Sequence, residues 1–317
     1  MQYRHLGRTG LEVSVLGLGS GGASRLGQRY HRGADEIAAL VRHALASGVT
    51  MIDTAPGYGQ SETLLGEALG SVPRTSYVLC TKFRPTTADQ LRPAGELRAS
   101  LRASLAALRT DYVDVFYLHG VAPSSYRAVR ERFLPELEAV RAAGLVRQIG
   151  ITEQYALDHQ HETLLRAVDD GGFEVIMVGL NLLSPAAALS VLPRAAARGL
   201  GIVVMCAVRS VLTDRQAVQA IVRGWQDEGL LAAEAVPTEA PLDWLLDEHT
   251  RQITDAAYKF AAVQPGVSSV LTGTGNAAHL DANLRAILGP PLPADRVRRV
   301  LEVFGPVQRN VQPERAG

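Results

Sequence analysis

The chain has 317 residues, 47% of them hydrophobic, which suits one barrel-sized α/β domain with a sizeable core. Its 32 Lys and Arg balance 32 Asp and Glu, and this excludes the electrostatic footprint of a nucleic-acid or anionic-membrane binder. There is no apolar stretch long enough to span a bilayer and no apolar signal core near Met1–Gly7, so small-molecule partners and a cytoplasmic location are expected.

The first predicted element is a hairpin over 2–6 and 11–16, turning at Thr9-Gly10. Short apolar runs then recur at 15–18, 50–53, 77–81, 113–118, 146–151, 174–178, 202–205 and 268–271, which are eight strand candidates. Between them lie helical patterns: Ile37, Leu40, Val41, Ala44 and Leu45 share one face, as do Leu97, Leu101, Leu105 and Leu108. Near-continuous apolar strands alternating with amphipathic helices predict a parallel sheet covered on both faces. Eight such units close most naturally into a (β/α)8 TIM barrel, with a doubly wound sheet as the alternative. One domain over 1–317 is expected, with an N-terminal β-hairpin, a long loop segment over 207–249 after strand 7 that covers the active site, and a loosely held tail over 306–317. Cys80 and Cys206 lie in apolar strand-like runs and read as reduced thiols; neither has metal-ligand spacing.

Function in a barrel belongs at the C-terminal ends of its strands. Asp53 ends the second run, Lys82 the third and His119 the fourth, while Tyr58 stands between Gly57 and Gly59 on the loop after the second. Taken singly, each has an ordinary alternative. Asp53 could cap the helix that Ser61 begins, Tyr58 could be a surface aromatic, His119 a satisfied strand-end histidine and Lys82 a solvated terminus. Together they form one cluster at one end of three consecutive strands. Lys82 is one of only two lysines, with Lys259, in a chain that otherwise writes Arg, which favours a task needing a compact ammonium. A free phenol titrates near 10, and a neighbouring ammonium is expected to lower that value. The set therefore suits proton transfer beside a carbonyl or alcohol: Tyr58 as acid or base, Asp53 holding Lys82, His119 on the substrate oxygen. With no nucleophile and no metal expected, the hydride must come from an external carrier.

The chain resembles an aldo-keto reductase on Tyr3-Arg4-His5-Leu6-Gly7-Arg8-Thr9-Gly10, Leu16-Gly17-Leu18-Gly19-Ser20, Ile52-Asp53-Thr54-Ala55-Pro56-Gly57-Tyr58-Gly59, Thr81-Lys82 and Leu118-His119. The order continues through Ile149-Gly150-Ile151-Thr152, Asn181-Leu182-Leu183 and Thr272-Gly273-Thr274 to Asn283. The resemblance implies a barrel, NAD(P)-dependent carbonyl reduction or its reverse, and a catalytic tetrad of Asp53, Tyr58, Lys82 and His119. Gly17-Leu18-Gly19-Ser20-Gly21-Gly22 spells GxGxxG but lacks the acidic residue that a Rossmann site places about 20 residues on. Ser20 and Gly21 instead match cofactor-contacting positions.

Other matched positions depart from the family. Thr152, Glu153 and Met177 stand where it grips the nicotinamide carboxamide with a Ser-Asn pair and a Gln, and a thioether cannot replace an amide. Cys206, Ala207, Val208 and Arg209 stand where a stacking aromatic is common. At the adenine end, formed by Gly273, Thr274, Gly275, His279 and Asn283, Gly273 and His279 replace the Lys and Arg that hold a 2′-phosphate, with Arg285 as a partial substitute. The expected cofactor is NAD(H) or NADP(H), leaning to NAD(H), and the branch resembled is that of sugar and pyridoxal dehydrogenases. Asp158-His159-Gln160-His161-Glu162 reads as a polar helix start rather than a metal site, because residues two apart face away from each other on a helix. Tyr155, Trp225 and Trp244 are candidates for pocket lining or for packing. The rival reading is a non-catalytic nucleotide-binding barrel serving as sensor or subunit. A monomer or small homo-oligomer is expected.

Overall fold

The computed structural model describes residues 1–88 and 90–309, so the end of the expected tail lies outside the described residues. Strands β1 (Tyr3–His5) and β2 (Glu12–Ser14) form the hairpin, and β3 (Leu16–Gly19) enters the barrel. There follow α1 (Ala34–Ala46), β4 (Met51–Asp53), α2 (Ser61–Leu69), β5 (Val78–Phe83), a two-strand ribbon β6 (Thr86–Thr87) and β7 (Gln90–Leu91), α3 (Gly95–Leu108), β8 (Val113–Val121), α4 (Tyr126–Ala142), β9 (Val146–Glu153) and α5 (Glu162–Asp170). The chain continues through β10 (Val175–Gly179), α6 (Ala186–Leu189), α7 (Val191–Ala197), β11 (Gly201–Met205), α8 (Arg215–Asp227), α9 (Ile253–Ala262), β12 (Val267–Thr272), α10 (Ala277–Leu288) and α11 (Ala294–Phe304). The eight parallel strands β3, β4, β5, β8, β9, β10, β11 and β12 close into a barrel in that order, with Leu16 of β3 paired to Val270 of β12.

Strand alternation separates two cores. Val175 and Met177 of β10 point into the barrel with Met51, Cys80, Val115, Tyr117 and Val203, whereas Ile176 and Val178 pack outward against the helices. The hairpin stops the barrel floor: Leu6 is fully buried in the inner cluster, and the Arg8 amide donates to the Gly199 carbonyl at 2.8 Å. Gly7 is required there, since its φ is +54° and a Cβ would stand 2.3 Å from the Gly201 nitrogen.

The stretch 207–249 corrects one expectation. It is not loop throughout: Arg215–Asp227 is helix, buries Val218, Val222 and Trp225 on one face, and is started by the Asp214 carboxylate accepting from the Gln216 and Ala217 amides. Trp225 packs beside Phe304, and the Trp244 indole donates to the Pro241 carbonyl under Arg299, so both tryptophans brace this cover. Among the described residues no helix is long and apolar enough to cross a membrane.

Candidate active site

Period two in the strands decides what reaches the barrel mouth. Asp53, Lys82 and His119 each lie two residues beyond an inward-facing residue (Met51, Cys80 and Tyr117), so all three form the topmost inner layer. The β4–β5 register pairs Asp53 with Cys80 and the β5–β8 register pairs Lys82 with Tyr117. Lys82 Nζ donates to both Asp53 oxygens, at 2.6 and 2.5 Å, and to the Thr54 carbonyl at 2.8 Å. Both partners are almost completely buried. Burial works against the Lys82 charge, but Asp53 outweighs it and holds the amine above its ordinary value.

Tyr58 is brought back over this pair by a turn in which its amide donates to the Ala55 carbonyl at 3.0 Å. Its ring lies 5.1 Å from Lys82 Nζ, and its hydroxyl is 3.4 Å from His119 Nε2. The bare backbone of Gly21 covers the ring: a Cβ there would come within 2.8 Å of it. The expectation that Lys82 brings the phenol below its ordinary value needs correcting. Burial raises it, Lys82 pulls it back, and Asp53 pushes it up again, leaving it raised. The carboxylate that fixes the lysine also cancels much of its field. His119 is driven well below its ordinary value by burial and then by the charges of Lys82 and Arg84, so its ring is neutral near pH 7.

The expected cofactor residues divide into groups. Val208, Gly273, Thr274, His279 and Asn283 line one cavity of about 590 Å3 beneath the cover formed after β11. Asn283 is held by Thr272 Oγ1 at 2.8 Å and by the Tyr258 hydroxyl at 3.3 Å. Gly275 packs against Gly27, and the Asn276 side chain accepts from the Ala278 amide to open α10 beside Thr274. Ser20 is buried with its hydroxyl unpartnered among the described residues, and its amide donates to the Asp53 carbonyl. Thr152 Oγ1 accepts from the Gly120 amide at 2.8 Å, beside His119, and keeps its own proton to donate.

Other expected contacts are turned elsewhere. Glu153 accepts from the Gly179 amide at 2.8 Å and pairs with His161 Nδ1 at 2.7 Å, both side chains fully buried. Met177 is inside the barrel core. Arg209 donates to Cys206 Sγ at 3.3 Å, and Ala207 is buried. In the 158–162 cluster, Asp158 accepts from the Glu162 and Thr163 amides and so starts α5, while His161 turns inward to Glu153 rather than forming a polar surface. Tyr155 fills the space a side chain at Gly179 would need, stacks on His161 and receives a hydrogen bond from Asn181 at 3.1 Å. Sequence reasoning missed Tyr258 and Gln28. Tyr258 lies on the apolar face of α9, where a hydroxyl at helical spacing carries no signal of its own.

A nicotinamide dinucleotide fits this arrangement at its phosphate and adenosine end. The cavity has a side-chain-free wall at Gly273, close to Gly21, and a capped 12-residue helix begins next to it, a ready site for phosphate.

The model of the aldo/keto reductase family matches residues 16–303. The chain is 28% identical to L-galactose dehydrogenase of Arabidopsis thaliana over 310 residues, covering 90% of this chain and 88% of that one. It is 29% identical over 305 residues to D-threo-aldose 1-dehydrogenase of a Pseudomonas species, covering 86% and 89%. A solved aldo-keto reductase from Bacillus halodurans, in its holo form, shares the fold with a TM-score of 0.71 over 99% of both chains at 20% identity. Since the family match runs from the first barrel strand to the last helix, the chain belongs to the aldo-keto reductase family.

Proposed function

We propose that the chain is an NAD(P)-dependent dehydrogenase of aldoses or similar polyhydroxy carbonyl compounds, with Tyr58 as general acid and base. The observation that carries this is the charged Lys82, gripped by both Asp53 oxygens beneath the Tyr58 ring, with His119 at the Tyr58 hydroxyl. The names of the two relatives, both sugar dehydrogenases, support the substrate class.

When bound, a nicotinamide supplies the hydride in reduction and accepts it in oxidation. Ser20, Gly21 and Thr152 would hold its reactive end, and Gly273, Thr274, Gly275, His279 and Asn283 the far end. Tyr58 gives its proton to the carbonyl oxygen in reduction and takes the hydroxyl proton in oxidation. Lys82 stabilises the phenolate in either direction, Asp53 fixes the lysine, and neutral His119 shares the substrate oxygen with Tyr58. Burial of the pair keeps water from weakening that field.

The far end favours NAD(H). Gly273 offers no charge and Arg215, which lines the same cavity, is already paired with Asp243 at 2.8 Å, which leaves Arg251 as the lining cation to which a 2′-phosphate would have to turn. Fluorescence titration checks this: NADH is expected to bind at least as tightly as NADPH, and much tighter NADPH would overturn the preference. Steady-state assays with an aldose panel and both dinucleotides test the function itself. A second reading, a monomeric or small oligomeric nucleotide sensor of the cytoplasm, is favoured only by the carboxamide end, where Met177 is core and Glu153 is occupied. Dinucleotide binding with no turnover of any substrate would support it.

A further inference from the structure

Between β3 and α1 the chain runs as a short 3-10 segment, Arg25–Tyr30, broken at Leu26 and Gly27, with Arg25, Leu26, Gly27 and His31 all at positive φ. One side of this turn bears on the β12–α10 loop: Ser24 Oγ donates to the Gly273 carbonyl at 3.3 Å, and Gly27 is so close to Gly275 that a Cβ on the latter would stand 2.4 Å from the Gly27 Cα. Its other side bears on the loop that carries Tyr58. There the half-buried Gln28 carboxamide reaches three acceptors and one donor. Its Nε2, with two hydrogens, donates within the turn to the Arg25 carbonyl at 2.9 Å and across to Ser61 Oγ at 2.8 Å, and lies within reach of the Tyr58 carbonyl at 3.2 Å. Its Oε1 accepts from the Gln60 amide at 2.9 Å.

The Tyr58 loop is shaped to receive this carboxamide. Gly59 has φ of +67°, and any Cβ there would lie 2.7 Å from Gln28 Oε1. Ser61 Oγ stands within hydrogen-bond reach of the Tyr58 carbonyl at 2.8 Å and the Ser20 carbonyl at 3.3 Å, so the network closes back onto the end of β3. A single carboxamide thus joins the loop holding the proton donor to a turn that rests on the dinucleotide-facing glycines.

We propose that Gln28 is a positioning residue that couples occupancy of the Gly273–Gly275 loop to the placement of Tyr58. The inference rests on the proposed dehydrogenase reading for its kinetic arm. Filling the cavity beside Gly273 presses on Ser24 and Gly27. The turn transmits this through Gln28 to the Tyr58 carbonyl and the Gln60 amide, and the phenol is held where proton transfer occurs. A misplacement on the order of 1 Å at such a group costs about 100-fold in rate, so partial loosening is expected to cost about 10-fold.

The test compares wild type with Gln28→Met, which keeps the size and removes the hydrogen bonds, and with Gln28→Ala. Hydrogen exchange is followed with and without NADH and, in parallel, with NADPH. In wild type, dinucleotide should slow exchange at residues 57–61 as well as at 273–276. In both variants the protection at 273–276 should remain while that at 57–61 is lost. In steady state, kcat at saturating dinucleotide should fall about 10-fold with KM for the dinucleotide changed less than kcat. Protection at 57–61 surviving in Gln28→Met, or an unchanged kcat, would overturn the inference. If Gln28→Ala does not fold, Gln28→Met decides alone. Absence of turnover in wild type counts against the dehydrogenase reading, and the exchange measurement still decides the coupling.

Discussion

The strand ends of the barrel hold two buried acid–base pairs, parted by strand β8, whose cations face different surroundings. Asp53 and Lys82 sit on the adjacent strands β4 and β5, and the lysine keeps a permanent charge that it shows to two rings, Tyr58 at 5.1 Å and Tyr117 at 5.8 Å. Glu153 and His161 join the end of β9 to the start of α5: Glu153 also accepts from the Gly179 amide, and His161 is the plate on which Tyr155 stacks, its Nε2 without a hydrogen-bond partner among the described residues. Both pairs are buried, yet the phenol over Lys82 has its hydroxyl at His119, whereas the phenol stacked on His161 has its hydroxyl engaged by Asn181. Burial alone therefore does not tell the two pairs apart; the group that the cation faces does.

The strongest way to break the first pair is Lys82→Met. It strips Asp53 of its partner, expected to cost about 3–5 kcal/mol of stability, and removes the one charge that pulls the Tyr58 phenol down, expected to slow turnover by about 10²–10⁴-fold. Chemical denaturation and steady-state rates check the two parts. Tyr58→Phe should give a rate loss of about the same size while stability moves by no more than about 1 kcal/mol and dinucleotide still binds. Substantial retained activity would remove Tyr58 from its role.

His161→Ala should mirror the stability loss, about 3–5 kcal/mol by denaturant titration, because Glu153 is left buried without its counter-charge. A loss below about 1 kcal/mol would show that the pair is not an ion pair. The smallest effect is in pH, and it separates two histidines. Burial pushes His161 down, but Glu153 lifts it above the usual value near 6.5, so its stabilisation is complete below about 6.5 and is lost as pH rises through the raised value. His119 is depressed, so its contribution is complete above about 6.5 and is lost as pH falls through the lowered value. Comparing the denaturation midpoints of wild type, His161→Ala and His119→Gln across that range should give differences of opposite slope. Slopes of the same sign would contradict the assignment.

Much of this was legible because barrels repeat themselves. The eight apolar runs each became a strand, and the residues ending the runs at 53, 82 and 119 meet because period-two alternation carries them to one layer. The ribbon at 86–91 was not legible: its strands are two residues each, too short for alternation to register. Helix α8 had a readable sign, Asp214 before Val218, Val222 and Trp225, hidden by the prolines and glycines that follow. The cofactor positions carried over by resemblance lay beyond local pattern, because Glu153 is engaged by Gly179 as well as by His161, and Met177 by a barrel core drawn from distant strands. The direction of the Tyr58 shift was likewise unreadable, since it is decided by how deeply three groups are buried together.

The hairpin under the barrel has one last consequence. With Leu6 sealed among the inner side chains and Gly7 wedged against Gly201, the lower end of the barrel is filled. A ligand of the cavity at Gly273 is therefore expected to come and go at the mouth, beside the cover that α8 helps to build, and its release is a natural limit on turnover.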